Sequence, residues 1–464
     1  MRLIGPIGVD QKTHPFSANF TVREPLDLEK YNFVEEEYFI EGRANVYDLD
    51  EDSNVYVKDR DLHYMTRILV RRPKEKFSNR CYIDIMNASN GYDIEDFWRR
   101  YYNQVLENNH VYIGVTSKPI NVQSLKFYDV DRYKDLDWSN GKLVNMPAVN
   151  YKNGSIPGTE EGLIWDILRD LGIFVKEHFD QITKGYKPDY VYLSGQSQSG
   201  VYLNTYANYM HNFYRENDIK NSYDGYFSLA SGGLTRALCQ ESDDPIAFSI
   251  RQAVEKDVDI PFITVNTECD FDLFIPAGFN LTRSSNSDTE ENKRRYYEIS
   301  SAPHTDAASP LVPKNKYIIK TNSPPRTLDR DYDYILNDLP VEYYVNSLFD
   351  LLHDWASKNQ APPIIEPLEI KDGEFVKDEF GHSIGGIRCP HIRVPVANYK
   401  ATVGLGETNG TMEYFSKEKL KDLYGDKDKY LMKFREAVEE DVKQRLLTSK
   451  DAERAMLFAE NIKF

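Results

Sequence analysis

Cysteine is scarce in this sequence: Cys81, Cys239, Cys269 and Cys389 are the only four among 464 residues, and no two form a C-x-x-C pair. So sparse and scattered a set excludes a disulfide scaffold and a structural zinc site. Long apolar runs are missing as well, and no stretch approaches the ~18 uncharged apolar residues of a membrane helix. Positive charge is in deficit, with 57 Lys+Arg against 74 Asp+Glu and a net charge of −17. Without a basic run the chain is a poor candidate for gripping a phosphate backbone. Neither nucleic acid nor membrane is an expected partner. The opening Met1-Arg2-Leu3-Ile4-Gly5-Pro6 lacks the apolar region of a signal peptide, so the sequence reads as cytoplasmic. Ser231-Gly232-Gly233 and Gly404-Leu405-Gly406 lack nucleotide-binding spacing, and neither a cofactor nor a metal is expected.

Apolar residues make up 41% of the chain and aromatics 13%, enough for a substantial core. Tyr38 to Leu49 and Tyr64 to Val70 have strand composition, followed by a basic cluster, Arg71-Arg72-Pro73-Lys74, and a short buried-strand pattern, Cys81 to Met86. Asp93 to Leu106 is helical in character and Val111 to Val115 is another strand. After a polar loop, Leu163, Ile164, Ile167, Leu168 and Leu171 recur at helical spacing. Further strands are expected at Tyr190 to Leu193, Tyr226 to Ala230, Phe262 to Val265 and Arg295 to Ile299, with a helix from about Val201 to Tyr214. Strands alternating with helices predict an α/β protein with a mostly parallel sheet flanked by helices. The remainder reads as a polar rim loop at Phe279 to Asn292, a helix at Val341 to Trp355, a Pro/Gly-rich segment at Ala361 to Thr411, and charged helices from Ser416 to Phe464. One domain spanning 1–464 is expected, with core strands and catalytic loops at about 37–310 and residues 311–464 as an extension packing on it.

The informative segment is Val191-Tyr192-Leu193-Ser194-Gly195-Gln196-Ser197-Gln198-Ser199-Gly200. A strand runs into a turn of small residues and then directly into a helix, the setting of a nucleophile elbow, G-x-S-x-G. Gly195 fills the first small position and Ser199 stands where a second glycine is usual. Ser199 as nucleophile would put β-branched Val201 at the crowded position, and Ser194 would have Tyr192 and Gln196 as neighbours, so Ser197 is the expected nucleophile.

An activated serine needs a histidine base and a carboxylate to orient that base, here in the chain order serine, acid, histidine. The predicted strand Pro261 to Asn266 leads into Thr267-Glu268-Cys269-Asp270, and His304 follows another predicted strand in a loop of small residues. His14, His63, His110 and His178 precede the serine and His211 lies in the helix after it. His353 falls inside a predicted helix, and His382 and His391 have no strand to position them. His304 is the expected base. Asp270, at the far end of its turn, is preferred over Glu268 as the acid.

The sequence resembles the bacterial α/β-hydrolase-domain proteins whose elbow reads G-x-S-Q-S/T-G. The likeness extends from Glu36-Glu37-Tyr38-Phe39-Ile40-Glu41-Gly42-Arg43-Ala44-Asn45 through Thr66-Arg67, Arg72-Pro73, Asn87 and Asp224-Gly225. It continues through Thr267-Glu268-Cys269-Asp270, Ala302-Pro303-His304-Thr305-Asp306 and Gly385-Gly386-Ile387-Arg388-Cys389-Pro390. It implies an α/β-hydrolase fold with extra pocket-shaping segments and a Ser–acid–His mechanism, with Glu268 and Asp270 both matching the acid. The oxyanion hole would take one donor from the backbone N–H of Gln198 and the second from the loop Asn87-Ala88-Ser89-Asn90-Gly91, at Ala88. Hydrolysis of a small-molecule carboxylic ester is the expected reaction. An acyltransferase or lyase using the same triad is one alternative, and a non-catalytic binding protein on the scaffold is the other.

Overall fold

A computed structural model describes residues 1–8, 21–139, 156, 158–240, 250–305, 307, 309–327 and 332–464. His14, Asp243, Asp244 and Asp306 lie outside them. The residues group into two compact units. The first comprises 1–260, 290–292 and 309–326, and the second 261–289, 293–308 and 327–464.

The first unit is built on seven strands, β1 (Arg2–Ile7), β2 (Phe33–Leu49), β3 (Val55–Pro73), β4 (Arg80–Ile85), β5 (Val111–Val115), β6 (Tyr190–Gln196) and β7 (Gly225–Leu229), in the order β1-β2-β3-β5-β4-β6-β7. β5, β4, β6 and β7 run parallel, whereas β1, β2 and β3 join antiparallel. Every residue of β5 and β7 is buried, as expected of parallel strands covered on both faces. Helices α1 (Asp96–Glu107), α2 (Pro119–Tyr128), α3 (Ile164–His178) and α4 (Gln198–Thr205) connect the strands. A two-stranded ribbon, β8 (Leu234–Arg236) with β9 (Ile250–Gln252), completes the unit.

The basic pair Arg71 and Arg72 belongs to the end of β3: Arg71 bonds Glu35 at 2.8 Å and Glu95 at 2.6 Å, and Arg72 bonds Glu36 at 2.9 Å. Two local readings of the sequence change. The polar loop after β5 contains α2, where Pro119 presets the first helical φ and Ile120, Val122 and Leu125 are buried. The helix after the elbow starts at Gln198 rather than Val201.

In the second unit β10 (Phe262–Thr267) pairs in parallel with β12 (Lys293–Ile299), and the short β11 (Ser287–Asp288) pairs antiparallel with the start of β12. Part of the expected rim loop is thereby held by polar anchors: Arg283 bonds the buried Glu298 at 2.7 Å, and the Asn286 side chain accepts from the Tyr296 N–H at 2.9 Å. Helices α5 (Val341–Lys358), α6 (Lys427–Lys443) and α7 (Ser449–Asn461) are tied together by buried polar bonds. The Tyr344 hydroxyl donates to Asp441 at 2.8 Å and the Asn346 amide to Asp451 at 3.0 Å. Arg388 forms an ion pair with Asp378. Among the described residues no helix is long and apolar enough to cross a membrane.

Candidate active site

The elbow lies in the first unit, where β6 ends at Gln196 and α4 begins at Gln198. Ser197 between them has φ 55° and ψ −123°, a backbone region that L side chains rarely adopt and that stores strain. Its N–H donates to the Leu229 carbonyl at 2.9 Å and its carbonyl accepts from the Val201 N–H at 3.0 Å, so the corner is fixed on both sides. The demand for small residues is measurable. A Cβ on Gly195 would stand 2.3 Å from the Ser199 carbonyl oxygen, and one on Gly200 2.7 Å from the Ser231 Cβ. Ser199 is buried and its hydroxyl accepts from the Lys118 ammonium at 3.2 Å.

Beside the elbow, the loop after β4 is closed by reciprocal backbone bonds of 2.9 Å between Asn87 and Ile94. The Asn87 amide donates to the Gln196 carbonyl at 3.2 Å, and the Ala88 N–H donates to the Gln198 side-chain Oε1 at 3.0 Å. Ala88 and Gln198, both expected as oxyanion donors, are therefore brought together, and an amide oxygen already sits on the Ala88 N–H. The Arg100 guanidinium holds the Gln196 side chain at 3.0 Å.

Asp270 and His304, the expected acid and base, lie in the second unit. β10 and β12 are in register up to Thr267 and Ile299. Backbone bonds then continue past the strands, with the Glu268 N–H donating to the Ile299 carbonyl at 3.1 Å and the Cys269 N–H to the Ala302 carbonyl at 3.3 Å. This zipped pair of turns brings Asp270 against His304, with Oδ1 2.6 Å from Nδ1. The other carboxylate oxygen of Asp270 accepts from the Thr267 N–H at 2.6 Å. Both side chains are buried, Asp270 completely and His304 at 4% exposure. Glu268 faces elsewhere, accepting from the Ser301 N–H at 2.7 Å and pairing with Lys377 at 3.2 Å.

Several supporting residues carry no signal in the sequence. Thr305 is pinned to the Thr408 carbonyl through its N–H at 3.1 Å and to Asn409 through its hydroxyl at 2.7 Å. The Pro/Gly-rich segment thus steadies the histidine loop across a hundred residues of sequence. Lys118 was equally invisible, a single lysine in a stretch read as polar loop.

An antiparallel edge leading into parallel strands, with a strained serine corner between β6 and α4, defines the class: an α/β hydrolase. The sequence matches the profile of the α/β-hydrolase domain family over residues 3–457, and the chain belongs to that family. No curated protein sequence matches it. Among solved structures, it is similar to an inhibited esterase B from Lactobacillus rhamnosis at 11% identity and TM-score 0.31, covering 69% of this chain and 88% of the other. Esterase Est22 is similar at 12% identity and TM-score 0.29, covering 59% and 73% of the two chains. A serine hydrolase homologue from Coxiella burnetii is similar at 9% identity and TM-score 0.26, covering 56% and 91%.

Proposed function

We propose that this protein hydrolyses a carboxylic ester through Ser197, His304 and Asp270. Ser197 attacks the ester carbonyl while His304 accepts its proton on Nε2. Asp270 accepts the Nδ1–H of His304, fixing the ring's tautomer and stabilising the imidazolium that forms. The developing oxyanion takes hydrogen bonds from the backbone N–H groups of Gln198 and Ala88. For the second of these the substrate oxygen displaces the Gln198 side-chain oxygen. The imidazolium then protonates the leaving alcohol, and water, deprotonated by His304, releases the acid from the acyl-enzyme.

The observation that carries this reading is the backbone of Ser197, a non-glycine residue held at φ 55° on the strand-to-helix corner. Strain of this kind persists only where surrounding structure enforces it, and here it falls on a serine at a helix N-terminus. The Asp270–His304 pair supplies the base that such a serine needs. Fluorophosphonate labelling followed by peptide mapping tests the reading without knowledge of the substrate. Label is expected on Ser197 and absent from Ser197→Ala, whose melting temperature should match the wild type. Label on Ser199 or Ser194 would overturn the register of the elbow. Product analysis with an added alcohol separates hydrolysis from acyl transfer.

A further inference from the structure

Lys118 is a fully buried lysine that the mechanism above does not use. It follows β5 and directly precedes α2, and its ammonium has three partners. They are the Met86 carbonyl at 2.9 Å, the Ser117 hydroxyl at 2.7 Å and the Ser199 hydroxyl at 3.2 Å. An ammonium has three N–H donors, and all three are used. Met86 immediately precedes Asn87 and Ala88, and its carbonyl also accepts from the Ser117 hydroxyl at 2.7 Å. Ser199 immediately follows Gln198. The nitrogen also lies 4.4 Å from the centre of the Tyr202 ring, one turn further along α4.

Resting on the hydrolase reading, we infer that Lys118 is a positioning residue of the oxyanion hole. By bridging Met86 to Ser199 it sets the separation of the two backbone donors, Ala88 and Gln198, that lie one or two residues away. This gives a reason for Ser199 to occupy a place where glycine is usual. A hydroxyl both accepts and donates, so it can hold Lys118 in either protonation state. Burial, reinforced by the charge of Arg236, draws Lys118 down to about 7, against Asp93, Glu161 and Asp84, which draw it up. Below that pH the ammonium donates to all three oxygens. Above it the proton passes to solvent, the amine keeps two N–H donors for Met86 and Ser117, and its lone pair accepts from the Ser199 hydroxyl. The bridge therefore survives titration, and glycine or alanine at 199 would break it in both states.

The test uses Lys118→Met and Ser199→Ala in the full chain, with hydrogen exchange of peptides covering 87–91 and 198–203, and steady-state kinetics on a simple aryl ester. Lys118→Met should lower kcat by about tenfold to a hundredfold, the scale of a misplaced catalytic group, with KM little changed. Exchange in both peptides should rise. Ser199→Ala should shift both readouts the same way by less, and it serves alone if Lys118→Met does not fold. A purely structural lysine would lower the melting temperature but leave the kcat of the folded enzyme intact, and that outcome overturns the inference. So does unchanged exchange in both peptides. Absence of label on wild-type Ser197 would sink the nucleophile assignment instead, and the exchange comparison still decides whether Lys118 holds the two loops.

Discussion

The corner proposed to hold the nucleophile and the turns proposed to hold its acid and base are built by different physics. At the corner the constraint is steric. Ser197 is driven into a left-handed backbone by a turn so tight that a single methyl on Gly195 would lie 2.3 Å from a backbone oxygen. At the turns it is polar, a chain of bonds in which the Thr267 N–H and His304 occupy the two oxygens of Asp270, and Glu268 caps the Ser301 N–H. A steric device prescribes residue size, so it leaves a pattern of small residues in the sequence. A polar device prescribes where a carboxylate points, and neighbouring Asp and Glu satisfy that equally on paper. The first kind should fail by distortion of the backbone, the second by loss of one bond with the shape intact.

The largest expected effect breaks the polar side. Asp270→Asn keeps an oxygen for the Thr267 N–H but presents an amide or a neutral acceptor to His304, which selects the wrong tautomer. By analogy with the same replacement in serine proteases, kcat should fall by about 10⁴. Circular dichroism and the melting temperature should stay near wild type. A kcat within an order of magnitude of wild type would remove Asp270 from the triad. Gly195→Ala tests the steric side and should show the opposite pattern. Relieving the overlap needs a backbone shift, costing about 1–3 kcal/mol of stability, read by urea unfolding. Fluorophosphonate labelling of the folded fraction should slow as well, because Ser197 moves with the corner. Normal stability and normal labelling together would mean the corner is not tight.

The same distinction explains what could be read in advance. The strand–turn–helix pattern around Ser197 was legible because it rests on local spacing, and the strand before His304, from which His304 was proposed as the base, showed in its apolar pattern. The strands β5, β6, β7 and β10 announced themselves through compact apolar runs. The roles of Arg71 and Arg72 could not be read because a charged pair does not announce its partners. Those partners, Glu35, Glu36 and Glu95, are on β2 or in the loop before α1. Lys118 was hidden for the same reason, since its partners Met86 and Ser199 are 32 and 81 residues away. The anchoring of Thr305 by Thr408 and Asn409 spans a hundred residues with no local motif at either end. Long-range polar bonds leave no periodicity, so they escape any reading based on spacing.

The smallest expected effect sharpens the choice between the two carboxylates. Glu268 lies two residues before Asp270 and has one more methylene, yet its oxygens serve Ser301 and Lys377 rather than the histidine. Glu268→Gln keeps an acceptor for the Ser301 N–H, so the histidine loop should hold its shape. What it loses is the ion pair with Lys377, whose side chain is 47% exposed. Pairs open to solvent on one side are worth about 0.2–1 kcal/mol. Even if all of that entered the barrier, kcat would change by no more than about fivefold. Glu268→Ala goes further by leaving the Ser301 N–H without its acceptor in a buried turn, at a cost of about 1–3 kcal/mol in stability. The expected order for kcat is therefore Asp270→Asn far below Glu268→Gln, with Glu268→Ala showing its deficit mainly in unfolding. A Glu268→Gln enzyme as inactive as Asp270→Asn would mean that the carboxylate nearer the strand serves the histidine during turnover.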